Sequence, residues 1–430
     1  MQDKPIINHP RRDLLKKSLF AGSAFAISSA SSYSRASDAN RRVRMGVIGL
    51  NRGLAHINMF SGCDDVEIAY VCDVDSKRLA TGAQRAVERQ DRPAKTVDDF
   101  RTILDDPSVD AVSIAAPNFW HAPMSIMACA AGKDVYVEKP GSHTPQEALM
   151  LGAAAKSHKR KVQMGVQRRS MPHYAEAAQR MKEGEIGDLK YARCWYNSAR
   201  GGIGRGKPKK IPSWLNYALW QKVLPDTPFK DNLIHYNWHW HWFWGNGELG
   251  NNGIHFLDIA RWGMGVETPA VVNYSGARYH FDDDQETPDT GYASFDFGPC
   301  GITWEQSSCL ARRPEKHSFA TFYGTKASLA IDDSGFTLHD TKGKEIHRHN
   351  GNGSHKIHFQ NFIDAVRGEA ELNAEISEGQ KSTMLCHLGN IAYRTASTLK
   401  VDQKSGTILD HDEALSYWQK EYRSGWEPKV

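Results

Sequence analysis

Two stretches of this chain bring together side chains able to bind or react. The first is short: Glu138 and Lys139 follow directly on the apolar run DVYV and precede Pro140. A charged pair placed straight after a buried strand needs a ligand or a partner charge to offset its loss of water. The second is the run HYNWHWHWFWGNG, residues 235–247, with three histidines and four tryptophans. If extended, it presents His235, Asn237, His239 and His241 on one side. Tyr236, Trp238, Trp240, Trp242 and Trp244 fall on the other. Three chemistries fit. His239 and His241, as His-x-His, are the types for a metal pair, with Asp231 or Glu248 as a third ligand. An aromatic floor with polar neighbours suits the flat C–H face and the hydroxyls of a sugar. The same residues also suit an aromatic core segment with satisfied histidines. No ligand spacing recurs elsewhere, so no metal site is expected. The reading carried forward is a sugar floor with His235, Trp238, His239, His241 and Trp242 as contacts. The stretch QRRSMPHY, with Trp195 and Tyr196, would add to it, and GGIGRGKPKK reads as a flexible basic loop.

The elements upstream must position Glu138 and Lys139. RVRMGVIGLNRGLAHI opens as a buried strand and turns at glycines; VEIAYVCDVD is a second apolar strand ending in Asp73, 24 residues after Gly49. Strand, glycine turn, helix, strand and terminal acid form a dinucleotide-binding unit. Gly49, Asn51, Arg52 and Gly53 would bring backbone N–H groups to a pyrophosphate at a helix N-terminus. Asp73 would accept the ribose hydroxyls, and its charge disfavours a 2′-phosphate, so NAD is expected rather than NADP. VDAVSIAAPN, DVYV and KVQMGVQ continue the parallel pattern. Ligands lie beyond the carboxyl ends of such strands, which places Pro117, Asn118, His121, Glu138 and Lys139 on the functional rim. His121 reads equally as part of a capped turn.

The composition of the 430-residue chain, 40% hydrophobic and 24% charged, is that of a globular protein with room for two or three domains. The N-terminus differs. RRDLLKK, then SLFAGSAFAISSA, then the small residues around SRA follow the order of an export signal, and the paired arginines resemble a twin-arginine one. Its apolar core is too short for a stable membrane anchor. Within residues 1–36, Lys4, Arg11, Arg12, Lys16, Lys17 and Arg35 against Asp3 and Asp13 account for the whole formal charge of +4. The rest is near neutral, so no nucleic-acid partner is expected. The seven scattered cysteines argue against a metal cluster or disulfide framework.

MGVIGLNRGLAH, YVCDVD and VYVEKP, with GELGNNGIHFLDIARW at residues 247–262, together resemble the Gfo/Idh/MocA oxidoreductases. The C-terminal run HFQNFIDAVRG with EGQKSTMLCHLGNIAYR is similar to the members that carry export signals. The resemblance implies an α/β fold: a Rossmann parallel sheet, then an α+β domain built on a large, mostly antiparallel sheet. The open face of that sheet would carry homo-oligomer contacts, and the active site would lie between the domains. The expected division is an export signal over 1–36, an NAD-binding domain over 37–167 and a substrate and oligomerisation domain over 168–430. Carried over by position, Lys139 matches the family's active-site lysine and His255 the histidine of its D-x-G-x-H motif. The aspartate of that motif falls at Asn251, and the first glycine turn lacks its middle glycine. Asparagine orients a hydroxyl but holds no charge, so His255 and Lys139 would share the acid–base work. NAD-dependent glycosidases of the family place a tyrosine where this chain has Asn252, which is counted with the substrate contacts. Asp258, one turn beyond His255, would orient it or pair with Arg261.

Oxidation of a carbinol leaves a hydroxyl proton to remove. His255 suits the general base, and Lys139 suits stabilising charge on the same oxygen. A periplasmic enzyme has no evident pool of free NAD. The expectation is therefore a tightly bound NAD whose redox state is restored within each cycle on a sugar or glycoside. Sugar-to-sugar exchange, epimerisation and glycosidic cleavage through a transient keto-sugar all satisfy this. A non-catalytic sugar-binding protein on the same scaffold is the alternative that Asn251 favours.

Overall fold

Uninterrupted runs of Val, Ile, Ala and Met can be buried on both faces only in a parallel sheet covered by helices. The computed structural model of the chain describes residues 42–312, 314–351 and 353–430 and contains such a sheet. Its strands are β1 (Val43–Ile48), β2 (Val66–Cys72), β3 (Lys95–Val97), β4 (Ala111–Ile114), β5 (Asp134–Val137) and β6 (Val162–Met164), in the order β3-β2-β1-β4-β5-β6. All their pairings are parallel. This is the doubly wound dinucleotide order, with β1 and β4 flanking the point where the winding reverses. The crossovers include α1 (Gly53–Phe60), α2 (Ser76–Val87), α3 (Asn118–Ala130) and α4 (Pro145–Ser157). Two of them start on local caps: Asp75 accepts the N–H groups of Lys77 and Arg78, and Thr144 that of Glu147. The export signal expected over 1–36 lies outside the described residues.

The second sheet has ten strands: β7 (Leu189–Asn197), β8 (Val271–Ala277), β9 (Thr290–Asp296), β10 (Gly301–Ser307), β11 (Ala320–Gly324), β12 (Ala327–Asp332), β13 (Gly335–Asp340), β14 (Glu345–Asn350), β15 (Leu399–Val401) and β16 (Ile408–Leu409). They run in the order β14-β13-β12-β11-β7-β10-β9-β8-β15-β16. Among the described residues only β7 and β10 of this sheet pair in parallel; its other pairings are antiparallel. After α5 (Pro172–Lys182), helices α6 (Ile254–Met264) and α8 (Ile376–Arg394) pack on this sheet over the fully buried Trp304, Phe295 and Phe322. Among the described residues, no helix is long and apolar enough to cross a membrane.

Two features depart from the linear reading. Helix α7 (His355–Val366), from late in the chain, packs on α1. Its Phe359, Phe362 and Ile363 share one core with Val47, Phe60 and Tyr136 of the nucleotide-binding half. The run 235–247 is not extended. It folds back through turns and a single 3-10 turn, Asn237–Trp240, closed by Trp244 N–H and Gly245 N–H on the His241 carbonyl at 3.1 and 2.8 Å. Gly245 permits this: a Cβ there would lie 2.6 Å from the His239 carbonyl oxygen. The alternation of histidine and tryptophan therefore does not separate two faces.

Candidate active site

A cavity of about 570 Å³ opens beyond the carboxyl ends of β1, β2, β4 and β5. One wall is the turn after β1. Gly49 has φ +85°, and a Cβ there would sit 2.6 Å from the Ala115 carbonyl carbon, so only glycine fits. The turn lets Leu50 N–H donate to Asp73 Oδ2 at 2.6 Å, while Asp75 N–H donates to Asp73 Oδ1 at 2.9 Å. Burial raises the Asp73 carboxyl above its ordinary range, against the pull of these two bonds. Asn51 and Arg52 also line the cavity. Asn51 Oδ1 accepts from Arg78 Nη1 at 3.0 Å, and Arg52 Nε donates to Glu138 Oε1 at 3.1 Å. Gly53, the first residue of α1, lies outside the cavity wall with room for a Cβ only 3.1 Å from Val47. A turn that a side chain would fill, a helix beginning behind it and an acid at the end of β2 fit a dinucleotide.

The rim residues converge deeper in. Pro117, Asn118, His121, Glu138 and Lys139 all line the cavity. Burial pushes the Glu138 carboxyl up, but His56 at 3.0 Å, Arg52 and Lys139 outweigh it and hold the carboxyl well below its ordinary value. Lys139, whose bond to Pro140 is cis, donates Nζ to the Asn251 carbonyl at 2.7 Å and to Asn251 Oδ1 at 3.0 Å. Burial lowers the Lys139 ammonium, with Glu138 opposing. Asn251 sits in a π-helical turn, Leu249–Gly253, that runs into α6, so His255 lies four residues on and faces the same cavity. His255 Nδ1 is buried with no partner. Burial, then the nearby Lys139 charge, holds the imidazole well below its ordinary value, so it is neutral. His121 places its two ring nitrogens on the Pro140 and Ala116 carbonyls at 2.6 and 2.7 Å, and Asn118 Nδ2 donates to Asn246 Oδ1 at 3.0 Å.

The aromatic run divides among several surroundings. Tyr236, Trp238 and His239 line the cavity. His239 Nδ1 meets the Tyr236 carbonyl at 2.6 Å, the ring stacks on Trp238 at 3.6 Å, and burial holds its imidazole down at about 3. Trp240 and Trp244 are buried in the core. His235 also lines the cavity, but at its nucleotide end, where Nε2 meets Asp75 Oδ2 at 2.8 Å. His241 and Trp242 face elsewhere: both engage Glu286, and Trp242 borders a separate cavity with Arg394 and Tyr417. Asn252 is turned from the cleft, its amide donating to the buried Glu248. Gln167 lines the cavity whereas Trp195 and Tyr196 do not. Among the described residues no three His, Cys, Asp or Glu are grouped to hold a metal, and Asp231 pairs with Lys209 at 2.8 Å.

Asp258 differs from both expectations. It takes Arg169 at 2.9 Å and Ser382 at 2.7 Å, while Arg261 reaches Glu378, because α8 and the residues before α5 enclose this face of α6. Trp120, Leu219 and Trp220 line the cavity without a signal in the sequence, and Tyr236 lines it although its spacing put it on an aromatic face turned from the polar one. Its phenol meets the Asn251 side chain. The signal was present only as adjacency to the histidine motif.

Two family models match the chain: an oxidoreductase family with NAD-binding Rossmann fold over residues 43–166, and a GFO/IDH/MocA C-terminal domain over residues 174–330. Inositol 2-dehydrogenase of Salmonella typhimurium is 34% identical over 146 residues, which is 34% of this chain and 41% of that protein. Glycosyl hydrolase family 109 protein 2 of a Shewanella species is 33% identical over 159 residues, 32% of this chain and 35% of its own length. The chain thus spans well under half the length of these relatives. The crystal structure of aldose-aldose oxidoreductase from Caulobacter crescentus complexed with glycerol superposes with a TM-score of 0.64 at 20% identity, covering 84% of this chain and 100% of the other. That likeness concerns the fold.

Proposed function

Because this chain belongs to the Gfo/Idh/MocA oxidoreductase family, with its NAD-binding Rossmann fold, we propose that it oxidises a ring hydroxyl of a sugar or glycoside with an NAD held through the cycle. The observation that carries this reading is the placing of Lys139 on Asn251, four residues before a neutral His255 with a free Nδ1, in the cavity that Gly49 and Asp73 also line. The Gly49 turn and Asp73 hold the NAD, and when bound NAD supplies the two-electron acceptor for the carbinol carbon. His255 Nδ1 accepts the hydroxyl proton. Lys139 has three N–H donors and spends two on Asn251, which leaves one for the substrate oxygen as its charge develops. Tyr236, Trp238 and His239 form the aromatic side of the sugar site, and Asn118 and His121 border it from α3.

A second reading, cleavage of a glycosidic bond through a transient keto-sugar, is favoured by Tyr236, whose phenol beside Asn251 puts a hydroxyl into the cleft that burial keeps protonated and so able to donate. Its support also includes the Shewanella glycosyl hydrolase match. We place the protein outside the cytoplasm through its twin-arginine-type segment, where hydride exchange between sugars, epimerisation or this cleavage would restore the cofactor. A homo-oligomer through the open sheet face is in keeping with the exposed Tyr292 and Tyr323 there. Denaturing the purified protein and assaying the supernatant for NAD(H), then following 340 nm absorbance as sugars and glycosides are added, tests the reading. A protein that carries no NAD and takes up none would move the sugar-binding alternative to first place.

A further inference from the structure

The cavity has a second long wall, built from residues 214–240 of the sugar-side half, and it is tied to the nucleotide-binding half at the adenosine end. Ser76 N–H donates to the Trp214 carbonyl at 2.9 Å, and Asn216 N–H donates to the Val74 carbonyl at 2.9 Å. Asp75 and Leu215 between them form an antiparallel bridge. Lys77 Nζ lies over the Trp214 ring at 4.9 Å. Farther along, Trp120 Nε1 donates to the Trp220 carbonyl at 2.7 Å. The wall returns at His235, whose Nε2 meets Asp75 Oδ2 at 2.8 Å. Asp75 is 3% exposed, and its other oxygen caps α2. One carboxylate therefore fastens the far wall to the helix start next to Asp73. Leu219, Trp220, His235, Tyr236, Trp238 and His239 face the cavity from this wall.

We propose that this wall retains the cofactor and that the His235–Asp75 pair is its fastening. The glycine turn and Asp73 recognise the dinucleotide from one side only, and a ligand held from one side of an open cleft leaves along the other. With residues 214–240 bridged to residues 74–76 and pinned at His235, exit requires these bonds to open together. A group bound behind several concerted bonds dissociates slowly even where its own contacts are ordinary, because affinity changes of this kind lie mostly in the off-rate. His235 is thus a cofactor-retaining residue rather than a sugar contact.

The inference rests on this cleft being the NAD site proposed above. The test loads wild type, His235→Ala and His235→Gln with isotopically labelled NAD, dilutes each into excess unlabelled NAD and follows the label that stays with the protein. The expected result is slow exchange in wild type, at least tenfold faster exchange in His235→Ala, and recovery of most of the slowness in His235→Gln, which still donates to Asp75. Exchange at the wild-type rate in His235→Ala overturns the fastening. If His235→Ala does not fold, His235→Phe replaces it, since it keeps a ring of similar bulk and the main-chain bridge but removes the donor to Asp75; wild-type exchange there overturns the fastening. A wild-type chain that binds no labelled NAD fails at the first step and removes the reading on which the inference stands.

Discussion

Lys139 gives two of its three ammonium hydrogens to one residue, Asn251, taking both the side-chain and the main-chain oxygen at 3.0 and 2.7 Å. The two come from different halves of the molecule, so this contact aims the lysine across the cleft. Asparagine here supplies direction without charge. Asn251→Asp would set a carboxylate against an ammonium that burial now lowers. An opposite charge at this distance raises a lysine by about 1–3 units. If Lys139 acts charged, the alkaline limb of bound-NAD reduction should move to higher pH by about that much in Asn251→Asp. An unmoved limb would show that Lys139 does not set it.

Lys139→Ala and His255→Ala should both keep NAD, since neither side chain faces the Gly49 turn or Asp73. Each should slow reduction of bound NAD by a saturating substrate on the order of 10²- to 10⁴-fold, the range for a lost general acid or base. His255 is held neutral well below its ordinary value, so the wild-type rate should not fall as pH drops through about 6.5, where an unperturbed histidine titrates. Rates unchanged in both variants would remove the acid–base assignment.

Gly49→Ala tests the cradle. Its φ of +85° and the 2.6 Å approach to Ala115 leave no place for a methyl group. The strained backbone alone costs on the order of 1–3 kcal/mol, and relieving the clash moves the turn away from the cavity. NAD content and thermal midpoint should both fall. A variant as stable and as well loaded as wild type would refute the close approach.

The buried histidines make stability depend on pH. His358 is held down at about 4 and His387 at about 3, both by burial. Above about 6.5 neither state is protonated and they contribute nothing. As pH falls below it, the unfolded chain takes up protons that the folded chain refuses, so stability drops until the folded values are reached. At pH 5 the loss is roughly 2 kcal/mol for each. Urea unfolding at pH 7 and pH 5 should show it, and His387→Phe should reduce the difference by about 2 kcal/mol. Equal pH dependence in the variant would contradict the neutral His387.

The nucleotide-binding sheet was legible because its signals are local. VRMGVI and VEIAYVC are buried on both faces, and Gly49 and Asp73 fall at their ends. Strand β3, KTV, was not legible: it is a polar edge strand held by main-chain bonds to β2, which leave no pattern in side chains. The alternating run misled for a related reason. Period two speaks of faces only if the backbone is extended, and the turn at Gly245 and the 3-10 turn before it redistribute the rings among cleft, core and a second cavity. The partner of Asp258 was hidden because Arg169 lies 89 residues away. Spacing within α6 pointed to His255 and Arg261 instead.

Helix α7 has a consequence for how the protein is made. Asp64 N–H is bonded to Gln360, 296 residues later, and Phe359 and Phe362 complete the core around Phe60 and Tyr136. A ribosome will have released the whole glycine turn, and every strand of the first sheet, long before that core can close. Domains generally mature as units during synthesis, the earlier one first. Here the earlier unit waits for a helix that starts nearly 200 residues after its own last strand, on the order of ten seconds or more of synthesis later. Cofactor loading is accordingly tied to synthesis of residues 355–366, and a nascent fragment ending before residue 355 exposes Phe60 and Tyr136 to chaperones instead of presenting a finished nucleotide site.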